Sequence, residues 1–298
     1  MHGTVGLYAE RMDLELRHLR ALAAVVDAGS FTDAAADLGL SQAAVSRAVA
    51  GLEAVLGVPL MRRTSRTIAL TPTGTQVVAR ARRVLAEADD LVREATTGHT
   101  RLRVGHAWSA LGRYTARFQR QWAQAYAGVE LILVRTNTST GGLAEGACDV
   151  AVVRTAHDDP RFASVVVGEE RRVVATAADD PLARRRSIGL DEVAARTVLV
   201  DRRTGTTTTD LWPAGTHPPV EHTSDIDDWL DRIASGRAIG ITPESTAVQY
   251  RRSGVVYRPL RGVPPVLVRA MWPRHDAHPM TAAAVSMMTD LYQSRVVA

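Results

Sequence analysis

Ser41-Gln42-Ala43-Ala44-Val45-Ser46-Arg47-Ala48-Val49-Ala50-Gly51-Leu52-Glu53 is the stretch on which the reading of this chain turns. Val45, Val49, Leu52 and Leu56 fall at i, i+4, i+7 and i+11, one stripe along a helix, so the spacing predicts a helix with a single core-facing side. Gln42, Ser46 and Arg47 fall on the opposite side. An amide, a hydroxyl and a two-donor fork are the groups that read base edges and hold phosphates. Ser41 suits the N-cap, which would turn the positive end of the helix dipole towards an anion. Taken alone, the pattern also fits a plain amphipathic helix.

The flanking segments bear on that choice. A first helix is expected from about Leu14 to Ala28, with Leu19, Leu22, Val25 and Val26 inward and Gly29 as its stop. Ser30 with Asp33 is an S-x-x-D start for an alanine-rich second helix through Leu38. Gly39-Leu40-Ser41 is then a three-residue turn, and helix, turn, helix is the arrangement whose second member enters a major groove. After Gly57-Val58-Pro59, Leu60-Met61 and Ile68-Ala69-Leu70 are expected to pair as short strands. The loop Arg62-Arg63-Thr64-Ser65-Arg66-Thr67 between them would form a wing along phosphates. The expected DNA-contact set is Ser30, Thr32, Ser41, Gln42, Ala43, Ser46, Arg47, Arg62, Arg63, Thr64, Ser65 and Arg66.

Thr71-Pro72 gives an N-cap and a proline at the first helical position, opening a helix to about Thr97 that would be about 40 Å long. Val77, Ala81, Val84, Ala88, Leu91 and Ala95 form a heptad-like seam, which Val78, Leu85 and Val92 widen. The seam needs a partner, either the same helix of a second copy or the C-terminal part of its own chain.

The blocks Ser41-Gln42-Ala43-Ala44-Val45-Ser46-Arg47 with Leu52-Glu53, Leu56-Gly57-Val58-Pro59-Leu60-Met61-Arg62-Arg63 and Leu70-Thr71-Pro72-Thr73-Gly74 together resemble the N-terminal signature of the LysR-type transcriptional regulators. Ala43 stands where that family usually has proline, and Met61 where it usually has phenylalanine. Ala50 and Gly51 replace residues that are often polar or basic in relatives, which leaves more of the reading to Gln42, Ser46 and Arg47.

The resemblance implies an α/β protein with three parts: a winged helix-turn-helix over residues 12–71, a linker and dimerisation helix over 72–98, and an effector domain over 99–298. The effector domain would be like the periplasmic binding proteins, two Rossmann-like lobes with the ligand between them. Lobe 1 would cover about 100–175 and 262–298, and lobe 2 about 176–261. Asp149-Val150-Ala151-Val152-Val153-Arg154, an interlobe crossing at Ala178-Asp179-Asp180-Pro181-Leu182-Ala183, and Ala238-Ile239-Gly240-Ile241-Thr242-Pro243 match comparable family segments.

Residues 100–298 also read on their own as alternating apolar runs and helical patterns. Three strand-to-helix junctions gather hydroxyls and backbone donors: after Val104-Gly105-His106, after Leu133-Val134, and after Val200-Asp201. Helix starts beyond strand ends are where anions and ligands bind in such sheets, although serine and threonine there can simply be caps. The expected effector contacts are Trp108, Ser109, Thr136, Asn137, Thr138, Arg154, Arg203, Thr204 and Thr242. Arg154 and Arg203, with no carboxylate after Asp201 in those loops, point to an anionic or strongly polar small molecule held by paired bonds. The alternative is that Arg154 pairs with Asp149 or Asp158 on the surface.

Composition sets the outer limits. With 298 residues, 46% apolar and 23% charged, the chain is long enough for two or more ordinary globular domains. A net charge of +4, carried entirely by arginine since lysine is absent, is weak for the whole chain. Residues 1–100 hold eleven arginines and eleven acids, so the basic patch is local, at Arg62, Arg63, Arg66, Arg80, Arg82 and Arg83. The single cysteine, Cys148, excludes an internal disulfide and reads as packing, compatible with a reducing cytoplasm. Residues 1–11 lack a signal-peptide core and read as an extension or a misplaced start before Met12, and no run is long enough to span a membrane. No G-x-S-x-G, H-E-x-x-H, Walker or G-x-G-x-x-G motif supports an enzyme. His275, Asp276 and His278, beside Pro273 and Pro279, read as a polar turn rather than a metal site.

The expectation is therefore a cytoplasmic, ligand-responsive transcription regulator without cofactor. Its partners would be double-stranded operator DNA, a small-molecule effector, a second copy in a homodimer or homotetramer, and RNA polymerase as a further candidate. The competing reading is a binding protein or enzyme whose helix-turn-helix serves assembly alone.

Overall fold

The structure is a computed structural model that describes residues 14–63, 68–98, 100–213 and 215–294. The chain divides into two compact units, one running to Gly98 together with Ala144–Ala147, the other holding the remainder.

In the first unit, α1 (Leu16–Ala28), α2 (Phe31–Leu38) and α3 (Gln42–Leu56) precede a hairpin of β1 (Met61–Arg63) and β2 (Ile68–Leu70), and α4 (Pro72–Thr97) follows. Local chemistry sets each boundary. Glu15 caps α1 through a reciprocal box with His18, and Gly29 ends it at φ 73°. Ser30 accepts from Asp33 N at 3.0 Å to open α2. Leu19, Leu22, Val25, Ala34, Val45, Val49, Leu52, Leu60, Val78 and Ala81 form one buried core. The stripe on α3 stops short of its expected end, since Leu56 is 39% exposed.

The second unit contains two sheets. The first has the order β4-β3-β5-β13-β6, built from β3 (Thr100–His106), β4 (Val129–Arg135), β5 (Val150–Val153), β6 (Phe162–Glu170) and β13 (Val266–Pro273). β3 runs parallel to β4 and β5, while β13 returns antiparallel to β5 and β6. Between β3 and β4, α5 (Thr115–Ala125) packs Phe118 and Trp122 on this sheet, and α9 (Thr281–Gln293) packs Ala284, Met288 and Leu291 on it.

The second sheet has the order β11-β7-β12-β8, from β7 (Arg172–Ala177), β8 (Ile188–Gly189), β11 (Gly240–Pro243) and β12 (Val255–Arg261). Parallel strands β9 (Val198–Asp201) and β10 (Val220–Thr223) adjoin it through a parallel bridge from Val198 to Ile239. α6 (Leu190–Ala194), α7 (Ile226–Ala234) and α8 (Glu244–Gln249) complete this half, with Trp229 and Ile233 of α7 buried against Ala175 and Leu199.

The chain passes between the sheets at Arg171, the one residue separating β6 from β7, and returns at residues 262–265 between β12 and β13. The outward crossing therefore lies upstream of the expected 175. Residues 178–183 are not a crossing; Asp180 caps a single tight turn there that stays beside β7 and β12. Among the described residues no helix is long and apolar enough to cross a membrane.

Candidate nucleic-acid interface and ligand cleft

On α3, Ser41 caps the helix by accepting from Ala44 N at 3.2 Å. Val45, Val49 and Leu52 are at most 2% exposed, whereas Gln42, Ala43 and Arg47 are exposed and Ser46 is half-buried. The polar ends of Gln42 and Arg47 thus stand exposed on a face whose opposite side is locked in the core. Thr32 is exposed, but Ser30 commits its hydroxyl to the cap, donating to Asp33 Oδ2 at 2.6 Å. Arg62 is exposed on β1 next to buried Met61. Arg63 is described only in its backbone pairing with Ile68, and Thr64, Ser65 and Arg66 lie outside the described residues.

The hairpin is tied to α3 and α4 by three motif residues. Glu53 Oε1 accepts from Leu60 N at 2.7 Å and from Met61 N at 3.2 Å. Thr71 Oγ1 accepts from Gly74 N at 2.9 Å and donates to Pro59 O at 3.0 Å. A Cβ on Gly74 would sit 2.0 Å from Leu60 O, so only glycine lets α4 pass this close to the hairpin.

In the second unit, a cleft with room for about 50 Å³ of water centres, partly open to solvent, lies where the two sheets' strand ends meet. Trp108 and Trp229 meet edge to face at 5.4 Å in its wall. Trp229 can sit there because Gly240 has no side chain; a Cβ would be 2.0 Å from the indole. Its indole N–H donates to Leu199 O at 2.9 Å. Arg154 also lines the cleft, yet its side chain is only 9% exposed. Nε and Nη2 donate to Glu170 Oε2 and Oε1 at 3.1 and 2.9 Å, Nη1 to Ser109 O at 2.8 Å, and Nη2 to Ala110 O at 2.8 Å.

Burial works against both charges of this pair. The Glu170 charge more than offsets it at Arg154, whose pKa is raised, and Arg154 likewise holds Glu170 below its ordinary range. Glu170 is filled further by Ser245 Oγ at 2.6 Å and Tyr292 Oη at 2.8 Å, and Ser109 Oγ donates to Ser245 Oγ at 2.9 Å. The network links residues of the first sheet to α8 of the second. Nearby, burial pushes His106 down to about 4, with Arg154 and Arg135 adding to the shift against a bond to Ala107 O.

The comparisons with known proteins bear on both units. The model of the bacterial regulatory helix-turn-helix protein, lysR family, matches residues 16–75, and that of the LysR substrate binding domain matches 95–292. The chain belongs to the LysR family. It is 36% identical over 202 residues to the small neutral protease regulatory protein of Streptomyces coelicolor, an alignment spanning 64% of this chain and 60% of that protein. It is 29% identical to the HTH-type transcriptional regulator BenM of Acinetobacter baylyi, over 78% of this chain and 81% of BenM. Among solved structures, CbnR, a LysR family transcriptional regulator, shares the fold at a TM-score of 0.69 and 23% identity, covering 94% of this chain and 99% of CbnR.

Within this LysR frame, six of the nine expected effector contacts line the cleft: Trp108, Ser109, Thr138, Arg154, Thr204 and Thr242. Thr136, Asn137 and Arg203 do not. Asn137 donates instead to Ser224 O, and Arg203 is exposed. Arg154 pairs with Glu170, not with Asp149, which is held by Arg103 at 2.6 Å. Only the junction after β3 leads into a helix, α5, through a tight turn at Gly112–Tyr114. The other two run into turns, so their donors close on their own loops: Thr138 Oγ1 accepts from Gly142 N, and Asp201 Oδ1 accepts from Arg203 N and Thr204 N. Of the two arginines expected to hold an anion, Arg154 is committed to Glu170 and two carbonyl oxygens, and Arg203 lies outside the cleft lining.

Asp201, Trp229, Thr206, Thr207 and Thr246 also line the cleft, outside the expected contact set. Asp201 ends a buried strand run, a signal that could have marked it. Cys148 is buried, 3.4 Å from Gly141 O, and residues 274–279 form a mostly exposed turn. The α4 seam divides: Ala81 is in the core and Val77 packs against it, Ala88 is half-buried, and Val84 (47%), Leu91 (70%) and Ala95 are exposed.

Proposed function

We infer that the chain is a ligand-responsive transcriptional regulator that works in the cytoplasm. It binds double-stranded operator DNA through α3 and the β1–β2 hairpin, assembles as a homo-oligomer, and senses a small polar molecule in the cleft between its effector sheets. RNA polymerase is proposed as a further partner of the DNA-bound form. The observation that carries the reading is the face of α3: Gln42 and Arg47 stand exposed opposite the buried Val45, Val49 and Leu52, beside a capped helix start. The exposed end of the α4 seam supports assembly, since Leu91 and Val92 together with Val84 make an apolar strip.

The test is binding to a duplex selected by the protein from a random pool. Affinity should fall steeply with salt, as counterion release requires. Arg47→Ala should weaken the selected duplex by about 1–3 kcal/mol and relax selectivity at one position of each half-site. Duplex binding that ignores salt, or equal selectivity before and after Arg47→Ala, would instead favour a helix-turn-helix used only for assembly.

A further inference from the structure

Two groups in the cleft wall are left without a partner. Asp201 is 5% exposed, and its Oδ2 is buried with no hydrogen-bond partner among the described residues. The indole nitrogen of Trp108 is buried and unpartnered as well. Asp201 Oδ1, by contrast, is saturated: it accepts from Arg203 N at 3.0 Å, from Thr204 N, and from Thr204 Oγ1 at 2.8 Å. The loop therefore fixes one oxygen of the carboxylate and leaves the other unused. A buried carboxylate oxygen with nothing to accept costs free energy comparable to a lost charge-assisted bond, and such an atom in a ligand cleft marks where a ligand donor belongs.

Charge points the same way. The lining residues that carry formal charge are Arg154 and Asp201. Arg154 is neutralised by Glu170, so the pair presents no net charge to a ligand. Asp201 has no ion pair among the described residues. Arg172, a further buried cation that does not line the cleft, donates to Pro264 O at 3.1 Å and to Thr206 O at 2.8 Å. The remaining wall carries no formal charge: Val152, Val200, Ile241 and the two indoles form its apolar part, and hydroxyl-bearing residues such as Ser109, Thr138, Thr207 and Thr242 form the rest.

Resting on the reading of this cleft as the effector site, we propose that the effector is a small amine, whose protonated nitrogen donates to Asp201 Oδ2 while its apolar body lies against Trp108 and Trp229. An ammonium supplies both the missing donor and the missing positive charge. A carboxylate in the same place would face Asp201 with like charge and leave Oδ2 unsatisfied.

The experiment uses three probes that share a phenethyl body, phenethylamine, 2-phenylethanol and 3-phenylpropionate, measured by calorimetry and thermal shift on the full chain. The expected order of affinity is amine, then alcohol, then carboxylate, with about tenfold between the first and last, as one charge-assisted bond provides. Asp201→Asn keeps the Oδ1 acceptor and puts a donor where Oδ2 was, so it should cost the amine about tenfold and the alcohol less. Thr138→Trp, which puts an indole into the cleft lining, should abolish binding of every probe. If Asp201→Asn leaves the amine's affinity unchanged while Thr138→Trp removes it, the cleft stands and the amine proposal falls. If the amine still binds the Thr138→Trp chain, the cleft is not the site. Should Asp201→Asn fail to fold, the probe order on the parent decides alone: binding of the carboxylate in preference to the amine, or no binding of the amine, overturns the proposal.

Discussion

The two units are held together over different distances along the chain. In the helix-turn-helix unit the deciding bonds are short-range: Ser30 to Asp33 and Ser41 to Ala44 at three residues, Thr71 to Gly74 at three, Glu53 to Leu60 at seven. In the effector unit they are long: Arg154 to Glu170 at 16, Arg172 to Pro264 at 92, Ser109 to Ser245 at 136. Short bonds leave a spacing that can be read as a motif. Long bonds leave none, and they commit polar side chains that sequence alone would assign to a ligand.

The largest expected effect tests that contrast. Glu170→Ala leaves the Arg154 guanidinium buried with only two carbonyl oxygens, Ser109 O and Ala110 O, and should cost about 3–5 kcal/mol. Ser30→Ala, which removes a local cap, should cost only about 1 kcal/mol. Denaturant unfolding measures both. Equal costs would mean that the buried pair contributes no more than a surface cap, and that the contrast between the units is not energetic.

His106 sharpens it at the level of protonation. Its folded pKa, about 4, lies below the 6.5 expected of the unfolded chain, because burial disfavours the imidazolium. The unfolded state then takes up a proton first, so this contribution is complete above 6.5 and is lost as the pH falls from 6.5 towards 4. Between pH 7 and pH 5 the effector unit should lose about 2 kcal/mol on this account. His106→Gln should flatten that slope; thermal unfolding of the substituted chain with the same pH dependence as the parent would remove His106 as its source.

The same contrast explains what was legible in the sequence. The boundaries of α1, α2, α3 and α4 follow from Ser30, Ser41, Thr71-Pro72 and the glycines after each helix, all of which act on neighbours. The α/β character of residues 100–298 follows from apolar runs such as Val150-Ala151-Val152-Val153. The cleft is only half legible. Trp108, Ser109 and Thr242 could be placed because strand ends collect ligands, but the fate of Arg154 depends on Glu170 arriving from the far end of β6. Asp201 stood in the sequence only as the end of a strand run, and the count of donors reaching its two oxygens separates a capping residue from a ligand residue. The interlobe crossing moved because β7 begins immediately after Arg171, and nothing in the run Glu169-Glu170-Arg171-Arg172 marks a change of sheet.

The smallest expected effect on stability concerns α4, where both regimes meet in one helix. Its first turns are part of the helix-turn-helix core, with Val78 3% and Ala81 2% exposed, while Leu91 is 70% and Val92 61% exposed. Apolar side chains that far into water contribute little to the fold of one chain, so Leu91→Asp should change its unfolding free energy by no more than about 0.5 kcal/mol at low protein concentration. Ala81→Asp, which buries a charge in the core, should unfold the unit instead. If the exposed strip is the seam between copies, Leu91→Asp should still dissociate the oligomer, because a carboxylate facing its symmetry mate across a closed interface is both desolvated and repelled. Sedimentation then separates the two roles of the helix: a smaller species with unchanged folding assigns the distal half to assembly. An unchanged oligomer after both Leu91→Asp and Val84→Asp would place the contact elsewhere on the chain. Stability that rises with protein concentration for the parent but not for Leu91→Asp would tie the same strip to assembly by an independent route.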